Sequence, residues 1–396
     1  MTSIKNIKKS ITNQKNIKVF IICPTLGYIN RGIESFTQEC FDELSTVPFL
    51  DVTLFKGSGT ASNKNITLPS LHNNSWLKSQ FVQAFSIVSN NQSRRFVEDG
   101  SFFLSFLPHL YYSRPDIVYF SHYLIGSLLW HWRNLTKLNY KLLYRNGGPT
   151  GGEALKKLKM RFDHIQQLSP TELQKALNVG VPAEKQSLVP NAIHMPSELQ
   201  IATFSEQQAL RRKLNLPETR VLIISVAAIN KSHKRMDYVV REISALPEPH
   251  PYLLLLGQQG AETPEIFQLA NKLLGSDNFQ IRTVNQHKVP DYYKVADIFV
   301  LASLRESFGR VTIEAMSHGL PCLVHDYEVT QFLLGEQGYM ADFELNGSLT
   351  NLIIQVLAEG KNISKHYARH KRVYEHFSWD SLCQKYLNLI ENCANS

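Results

Sequence analysis

The sequence predicts an α/β protein of two domains, each built on a doubly wound parallel sheet. The chain has 396 residues, which is too long for one hydrophobic core and suggests two. Short apolar runs, typical of strands covered on both faces, alternate with amphipathic helical stretches in both halves. The segment 189–199 (VPNAIHMPSEL), with its two prolines, separates the two series and marks a domain boundary.

The N-terminal half begins with a strand, a loop and a helix. Residues 18–23 (KVFIIC) are the first strand, residues 27–32 are a polar loop, and residues 33–44 are a helix whose apolar residues recur at helical spacing. Further strands are predicted at 52–55, 117–120, 141–144 and 165–168.

The C-terminal half repeats this layout. Strands are predicted at 221–227, 252–257, 279–284, 297–302 and 320–324. The helix between the last two covers residues 310–318 and ends at Gly319, with Pro321 just beyond. Glycine tolerates the left-handed cap and proline cannot continue a helix, so this end is well defined. A final amphipathic helix is predicted at 379–390.

The unit of residues 297–326 is the most informative part of the chain. Its loop carries Glu306 and the first turns of its helix carry Glu314, so both can face the crevice beyond the strand ends where open sheets bind ligands. Free N–H groups at the helix start, near Gly309 and Arg310, carry partial positive charge that suits a diphosphate. Carboxylates there would accept hydrogen bonds from sugar or ribose hydroxyls.

This unit resembles the signature of the retaining family 4 glycosyltransferases, which have the GT-B fold. The residues that carry the resemblance are Ser303, Glu306, Phe308, Gly309, Glu314, Ala315, Gly319 and Pro321. The resemblance implies two Rossmann-like domains that face each other across a cleft. It also implies that Glu306 lies against the donor sugar and that Glu314 binds the ribose hydroxyls. The other donor-binding residues of the unit are then Ser307, Phe308, Gly309 and Arg310. For either glutamate alone, an ordinary acidic helix start is the better explanation.

A basic segment, residues 230–237 (NKSHKRMD), is the predicted leaving-group site. A departing nucleoside diphosphate gains negative charge in the transition state, so a fixed cation lowers the barrier. By resemblance, Lys234 occupies the family's lysine position, whereas Ala228 stands where the family has an arginine. Lys231 or Arg235 is expected to compensate. A solvated, charged helix start is the alternative for this segment.

Two residues of the N-terminal half complete the predicted site. The resemblance brings the backbone of Gly32 close to the donor diphosphate, with Arg31 in place of the first of the family's two glycines. His122 follows a predicted strand, at a position where related enzymes place a histidine near the acceptor hydroxyl. It is grouped with Glu306 and Lys234 as catalytic. A buried structural histidine is the alternative.

The predicted organisation has four parts. Residues 1–16 form a flexible basic tail, residues 17–195 an acceptor-binding domain, residues 196–375 a nucleotide-sugar-binding domain, and residues 376–396 a helix that by resemblance crosses back to the N-terminal domain. Val189, Pro190 and Asn191 resemble the family's interdomain segment.

Positive charge is concentrated in the N-terminal half. Residues 1–190 contain 22 Lys and Arg against 12 Asp and Glu, whereas residues 191–396 contain 20 against 22. A basic domain attracts anionic membrane surfaces, nucleic acid or phosphate-bearing substrates, of which nucleic acid is not expected here. The aromatic and apolar residues that would lie on such a membrane surface, or pack in the core, are Phe102, Phe103, Phe106, Leu110, Tyr111 and Tyr112.

Several other classes are disfavoured. No apolar run approaches the roughly 20 residues of a membrane span, and the basic N-terminus lacks an apolar signal segment. Five cysteines without metal spacing suit a reducing compartment, so a cytoplasmic location is expected, with peripheral attachment to the inner face of the membrane. The acidic segment 326–328 (DYE) is too short to indicate a metal site. Residues 18–23 are not followed by the glycine pattern of nicotinamide-binding proteins.

The resemblance therefore implies a retaining, metal-independent glycosyltransferase without a cofactor. It is expected to move a hexosyl unit from a nucleotide-diphosphate sugar to a saccharide or lipid-linked acceptor in surface glycan or glycolipid assembly. A catalytically silent protein of the same fold, which binds sugar nucleotides or an anionic surface, is the alternative favoured by Ala228 and Arg31. A nucleotide-sugar epimerase is a weaker alternative.

Overall fold

The computed structural model describes residues 16–29, 31–71, 90–147 and 161–396. The predicted basic tail therefore lies outside the described residues, except for Asn16. The chain divides into two compact units. The N-terminal unit consists of Met1–His194 together with Trp379–Ser396, and the C-terminal unit is Met195–Ser378.

The N-terminal unit contains a parallel sheet whose described strands are β1 (Ile17–Cys23), β2 (Leu50–Lys56), β3 (Asn65–Thr67), β4 (Ile117–Phe120), β5 (Lys141–Asn146), β6 (His164–Gln167) and β7 (Gln186–Leu188). Their order is β3-β2-β1-β4-β5-β6-β7. The order reverses between β1 and β4, which makes the carboxyl ends of these two strands the topological switch point of the sheet.

Helices cover both faces of this sheet. The described ones before residue 195 are α1 (Gly32–Leu44), α2 (Asn90–Ser113), α3 (Tyr123–Thr136) and α4 (Pro170–Asn178). Phe36 of α1 belongs to the core on one face, and Phe102 of α2 and Leu129 of α3 belong to the core on the other. Because both faces are covered, the four residues of β4 are all buried and apolar.

The C-terminal unit repeats this architecture with β8 (Leu222–Val226), β9 (Tyr252–Leu256), β10 (Phe279–Arg282), β11 (Ile298–Leu301), β12 (Cys322–His325) and β13 (Tyr339–Ala341). The strands are parallel, in the order β10-β9-β8-β11-β12-β13. Here the switch point lies between β8 and β11. All residues of β8, β9 and β11 are buried, as expected for central strands.

The helices of the C-terminal unit are α5 (Phe204–Lys213), α6 (Met236–Ser244), α7 (Thr263–Leu274), α8 (Val289–Val295), α9 (Arg310–Ser317), α10 (Glu328–Leu334), α11 (Ser348–Glu359) and α12 (Ile363–Phe377). A close backbone contact fixes the loop after β8. A Cβ atom at Gly257 would lie 1.6 Å from the carbonyl oxygen of Ala227, so only glycine fits beside this loop.

The last helix, α13 (Trp379–Asn395), belongs to the N-terminal unit. The Trp379 ring stacks on Phe36 of α1, with centroids 6.2 Å apart. The Tyr386 hydroxyl donates a hydrogen bond of 2.7 Å to the carbonyl oxygen of Pro190. The backbone N–H of Trp379 donates to the carbonyl oxygen of Ile193 at 3.2 Å. This helix therefore completes the core of the N-terminal unit and fixes the end of the segment 189–194.

The two Rossmann-like sheets confirm the predicted α/β class, and the differences are local. Strand β12 begins two residues later than predicted, after Pro321. Strands β3, β7 and β13 are absent from the prediction because each has only three residues, most of them half-buried, which show no readable alternation. Helix α13 continues to Asn395 instead of ending at residue 390.

The aromatic stretch before β4 divides between core and surface. Phe102, Phe103, Phe106 and Leu110 are buried, so for these four the core alternative is confirmed and the surface alternative is wrong. Tyr111 and Tyr112 are 56% and 83% exposed. Among the described residues, no helix combines the length and apolarity that crossing a bilayer requires.

One consequence of this packing is a pH-dependent stability of the N-terminal unit. His164 of β6 is 1% exposed, and its Nε2 lies 2.9 Å from the hydroxyl of Ser187. Burial lowers the pKa of His164 from 6.5 to about 4. Between pH 6.5 and about 4, His164 is therefore protonated in the unfolded chain but not in the folded one. The free energy of unfolding falls as the pH drops through this range, and the contribution of the neutral His164 is complete above pH 6.5.

We expect His164→Gln to flatten this dependence by on the order of 2 kcal/mol in the free energy of unfolding. All four tryptophans lie in the N-terminal unit, so urea unfolding followed by tryptophan fluorescence at several pH values reports on it. The exposed His131 gives the matched control His131→Gln. Equal pH slopes in wild type and His164→Gln would contradict the prediction.

Candidate functional site

The central feature of the C-terminal unit is an ion pair at its switch point. Lys234 follows β8 and Glu306 follows β11, the two strands between which the strand order reverses. The ammonium group of Lys234 donates to Oε1 of Glu306. Their side chains are 18% and 15% exposed, so the pair is largely shielded but reachable from solvent. The structure thus brings together the two C-terminal residues predicted to be catalytic.

The loop that carries Lys234 is held by polar side chains. The Oδ1 atom of Asn230 accepts hydrogen bonds from the backbone N–H groups of His233 and Lys234, at 3.1 and 2.7 Å. On the other side, a carboxylate oxygen of Glu262 accepts from the N–H groups of Lys231 and Ser232, at 2.5 and 3.0 Å. These backbone hydrogen bonds, led by that of Lys231, lower the pKa of Glu262.

The other two cations of this loop have partners elsewhere. The ammonium group of Lys231 pairs with Glu265 of α7 on an exposed surface, and this hydrogen bond raises the pKa of Lys231. The guanidinium group of Arg235 donates to the carbonyl oxygen of Phe343 at 2.8 Å and lies 4.3 Å from the centre of the Tyr238 ring. In this structure neither cation is oriented by Glu306.

The start of α9 has the backbone geometry expected at a helix N-terminus. Gly309 is its N-cap residue and has a φ of 76°, a left-handed conformation that favours glycine. Arg310 is buried, and its Nε atom donates to Glu314 at 2.8 Å. The side chain of Glu314 is 23% exposed. The two predicted donor-binding residues Arg310 and Glu314 therefore pair with each other.

Phe308 and Ser307 occupy different environments. The Phe308 ring is buried and packs edge-on against Phe377 of α12, with centroids 5.9 Å apart. Its side chain belongs to the core of the unit, so only its backbone is left for contact with a donor. Ser307, next to it, is partly exposed.

The N-terminal unit has its own cluster of polar residues at the carboxyl ends of β1 and β4. His122 is the N-cap residue of α3, and its Nδ1 lies 3.3 Å from a carboxylate oxygen of Asp99 in α2. The side chains of His122 and Asp99 are 21% and 11% exposed. A carboxylate in this position orients the imidazole ring and selects its tautomer. Asp99 lies 23 residues before His122, and the sequence carries no signal that pairs them.

Gly32 is the exposed first residue of α1, after β1. Glu34 is buried there, where it accepts a hydrogen bond of 3.1 Å from the backbone N–H of Arg31 and one of 2.6 Å from the Thr25 hydroxyl. These bonds fix the start of the helix. The carboxylate of Glu34 is therefore a capping group of α1. Gly32, two residues earlier, is exposed at the start of the same helix.

Arg145 at the end of β5 is a second residue that the sequence did not indicate. It is 3% exposed, and its Nε and Nη2 atoms donate to Oδ1 of Asn191 at 3.0 and 2.8 Å. Its guanidinium group lies 4.5 Å from the centre of the Phe36 ring. Asn191 thus acquires a structural explanation: it anchors the segment 189–194 to the sheet of the N-terminal unit.

The acidic segment 326–328 does not form a cluster of metal ligands. Asp326 accepts a hydrogen bond from Gln331 at 2.8 Å, and Tyr327 stands between the two acids. In the part of the chain that the structure describes, no three His, Cys, Asp or Glu side chains gather as a metal site requires.

A comparison with protein families finds a match in the C-terminal unit. The family model described as glycosyl transferases group 1 matches residues 206–372, which lie entirely within this unit. The match includes the loop that carries Lys234 and the segment 297–326 that carries Glu306 and Glu314. The C-terminal unit is therefore similar to the group 1 glycosyltransferases over most of its length.

Individual relatives are distant. N-acetyl-alpha-D-glucosaminyl L-malate synthase of Bacillus anthracis is 27% identical over 183 residues, which cover 45% of this chain and 47% of that protein. Alpha-galactosylglucosyldiacylglycerol synthase of Streptococcus pneumoniae is 21% identical over 252 residues, which cover 59% and 62%. The chain spans about half the length of the curated relatives that it matches first.

Similarity to solved structures extends over nearly the whole chain. The Anabaena protein HepE, solved in complex with UDP-glucose, superimposes with a TM-score of 0.71 at 12% identity and covers 95% of this chain and 99% of that one. At this identity the likeness shows the fold alone. It confirms the predicted GT-B fold of two Rossmann-like domains.

The ion pair predicts a measurable coupling between Lys234 and Glu306. We expect Lys234→Met and Glu306→Gln each to lower the free energy of unfolding by about 1 to 2 kcal/mol, because each leaves a shielded group without its partner. The double variant should lose about 1 kcal/mol less than the sum. Urea unfolding followed by far-UV circular dichroism measures this, with tryptophan fluorescence reporting the N-terminal unit separately. Strictly additive losses would show that the pair contributes nothing.

Proposed function

We propose that the protein is a retaining glycosyltransferase that moves a hexosyl unit from a nucleotide-diphosphate sugar to a saccharide or lipid-linked acceptor. The observation that carries the proposal is the Lys234–Glu306 ion pair at the switch point of a domain of the group 1 family. Ligands of doubly wound sheets bind beyond the carboxyl ends of the strands at this point. A cation and a carboxylate are both present there. The diphosphate of a donor can bind the cation, and the sugar hydroxyls of the donor can donate hydrogen bonds to the carboxylate.

The cation serves the departing diphosphate. Breaking the bond between the sugar and the diphosphate leaves negative charge on the phosphate oxygens, and Lys234 is held where it can neutralise that charge. Its ammonium group exchanges part of its contact with Glu306 for the phosphate. The N–H groups at the start of α9, near Gly309, supply further partial positive charge. With these cationic and dipolar groups, no metal ion or other cofactor is needed in the proposed reaction.

The carboxylates serve the hydroxyl groups of the donor. Glu306 accepts from hydroxyls of the transferred sugar, and Glu314 accepts from the ribose while Arg310 keeps its orientation. Neither carboxylate has to titrate for this purpose. Retention of the anomeric configuration follows if the acceptor attacks from the face that the diphosphate leaves, as the family resemblance implies.

His122 is proposed to act on the acceptor side of the reaction. Its ring is oriented by Asp99 and remains partly accessible, so it can hydrogen-bond the incoming hydroxyl or accept its proton. The relatives named above include a diacylglycerol-linked sugar synthase. This supports a glycolipid or glycan acceptor and, with the five buried free cysteines, a reaction on the cytoplasmic side of the membrane.

Turnover assays test the proposal. We expect the wild-type protein to release a nucleoside diphosphate from one member of a panel of UDP-, GDP- and ADP-hexoses when a saccharide or diacylglycerol acceptor is present. Lys234→Ala should lower kcat by about 100-fold or more, because it removes a fixed charge that acts in the transition state. Glu306→Ala should lower it as well. Mass spectrometry of the products measures transfer, and proton NMR of the new glycosidic bond checks retention.

Lys272→Ala is the matched control, since Lys272 is an exposed cation on α7 of the same unit. Donor binding without turnover in the wild type would instead identify the silent binding protein. An isomerised donor recovered in the absence of acceptor would indicate an epimerase. If Lys231→Ala matched the loss in Lys234→Ala, Lys231 would be the cation that replaces the family arginine.

We further propose that the N-terminal unit attaches to an anionic membrane surface. Four large apolar residues of α2 are exposed, namely Phe96 at 58%, Leu104 at 66%, Tyr111 at 56% and Tyr112 at 83%. Residues 1–190 carry a net charge of +10. Each Lys or Arg near an anionic surface adds about 1 kcal/mol of attraction. Exposed aromatic rings then insert at the level of the headgroups.

Vesicle sedimentation measures this attachment. We expect binding to vesicles with phosphatidylglycerol, loss of that binding as the salt concentration rises, and little binding to pure phosphatidylcholine. Replacing Tyr111 and Tyr112 by serine should weaken binding at low salt several-fold. Phe267→Ser is the control, because Phe267 is equally exposed at 52% but lies in the C-terminal unit. Equal binding to both kinds of vesicle, or none at low salt, would disprove the attachment.

A further inference from the structure

Tyr327, which follows β12, contacts the loop that carries Glu306. Its hydroxyl oxygen accepts a hydrogen bond of 2.8 Å from the backbone N–H of Glu306 and lies 3.4 Å from the carbonyl oxygen of the same residue. One side-chain group thus contacts both polar backbone groups of Glu306. Such a contact fixes the peptide from which the carboxylate projects toward Lys234.

Tyr327 is itself held in place by its neighbours. Its backbone N–H donates to the hydroxyl of Thr330 at 3.1 Å, and that hydroxyl in turn lies 2.7 Å from the carbonyl oxygen of His325. Thr330 is 4% exposed. The Tyr327 ring stacks on the His325 ring, with centroids 5.9 Å apart and an interplanar angle of 26°. Backbone and ring are both constrained, so the hydroxyl occupies a defined position.

Further hydrogen bonds connect Tyr327, through His325 and Phe343, to the residue next to Lys234. The Nδ1 atom of His325 accepts a hydrogen bond of 3.0 Å from the backbone N–H of Phe343. The carbonyl oxygen of Phe343 accepts one of 2.8 Å from Arg235, the residue next to Lys234. The contacts therefore form a closed ring that joins the segments after β8, β11, β12 and β13.

We propose that Tyr327 is a positioning residue for transfer, whose hydroxyl holds the loop of Glu306 so that the carboxylate meets the donor sugar in the reactive geometry. This inference rests on the proposed function. Burial raises the pKa of the Tyr327 hydroxyl well above its usual range. The group therefore stays protonated at any working pH and keeps its contact with the backbone.

Tyr327→Phe tests the inference because it keeps the ring and its stacking on His325 but removes the hydroxyl. We expect kcat to fall about 10-fold while KM for the donor changes by less than about three-fold, since a displaced carboxylate impairs the transition state more than the ground state. In a Glu306→Ala background, the same substitution should lower kcat by no more than about two-fold, because Tyr327 acts through Glu306.

A second readout does not depend on turnover. The amide of Glu306 is bonded to the Tyr327 hydroxyl, so its hydrogen exchange should become about 10-fold faster in Tyr327→Phe. The matched control is Tyr339→Phe. The Tyr339 hydroxyl donates to Glu359 at 2.5 Å on the surface of the same unit, and its removal should change neither exchange at Glu306 nor kcat.

Three outcomes would overturn the inference: an unchanged kcat in Tyr327→Phe, an unchanged exchange rate at Glu306, or a full additional loss of kcat in the Glu306→Ala background. If the wild type transferred no sugar from any donor, the proposed function would fail. The exchange rate would then decide by itself whether Tyr327 holds the Glu306 loop.

Discussion

Parallel strands that are covered by helices on both faces leave solvent-accessible polar side chains to the loops at the strand ends. Strands β4, β8 and β11, which flank the switch points, are buried and carry no ionisable side chain other than a tyrosine. Where the strand order reverses, the loops on either side diverge and open a crevice. Lys234 and Glu306 flank this position in the C-terminal unit, and Gly32 and His122 flank it in the N-terminal unit. The location of these polar residues thus follows from the topology of the sheets.

Burial distinguishes the cations that follow β8. Lys231 pairs with Glu265 in contact with water, where such pairs contribute little. Lys234 and Glu306 are much less exposed, so their attraction is screened less and their geometry is better defined. Arg235 is used to tie two loops together through Phe343. One short basic segment therefore contains a surface cation (Lys231), a shielded cation in an ion pair (Lys234) and a cation that joins two loops (Arg235).

The sequence predicted the architecture well because the relevant signals are local. Apolar runs gave the long strands, and the glycine and proline after α9 gave the end of that helix. The Lys234–Glu306 pair was within reach of prediction because both residues belong to a recognisable pattern. Asp99, Arg145 and Tyr327 were not, since each acts through a partner far away in the chain that no periodicity reveals. Lys231 contacts Glu265, and Arg235 contacts Phe343. Both partners are distant in the sequence, so these contacts could not be predicted either.

The return of α13 to the first unit has a consequence for how such a protein is assembled and varied. Ile193 and Trp379 share a hydrogen bond, so the chain leaves the N-terminal unit and re-enters it at adjacent points. Residues 195–378 are, in topological terms, an insertion between two parts of one continuous core. Such an insertion can be exchanged for another domain at a single pair of neighbouring junctions without interrupting either sheet. The connectivity of the chain therefore allows one unit to be replaced while the other stays unchanged.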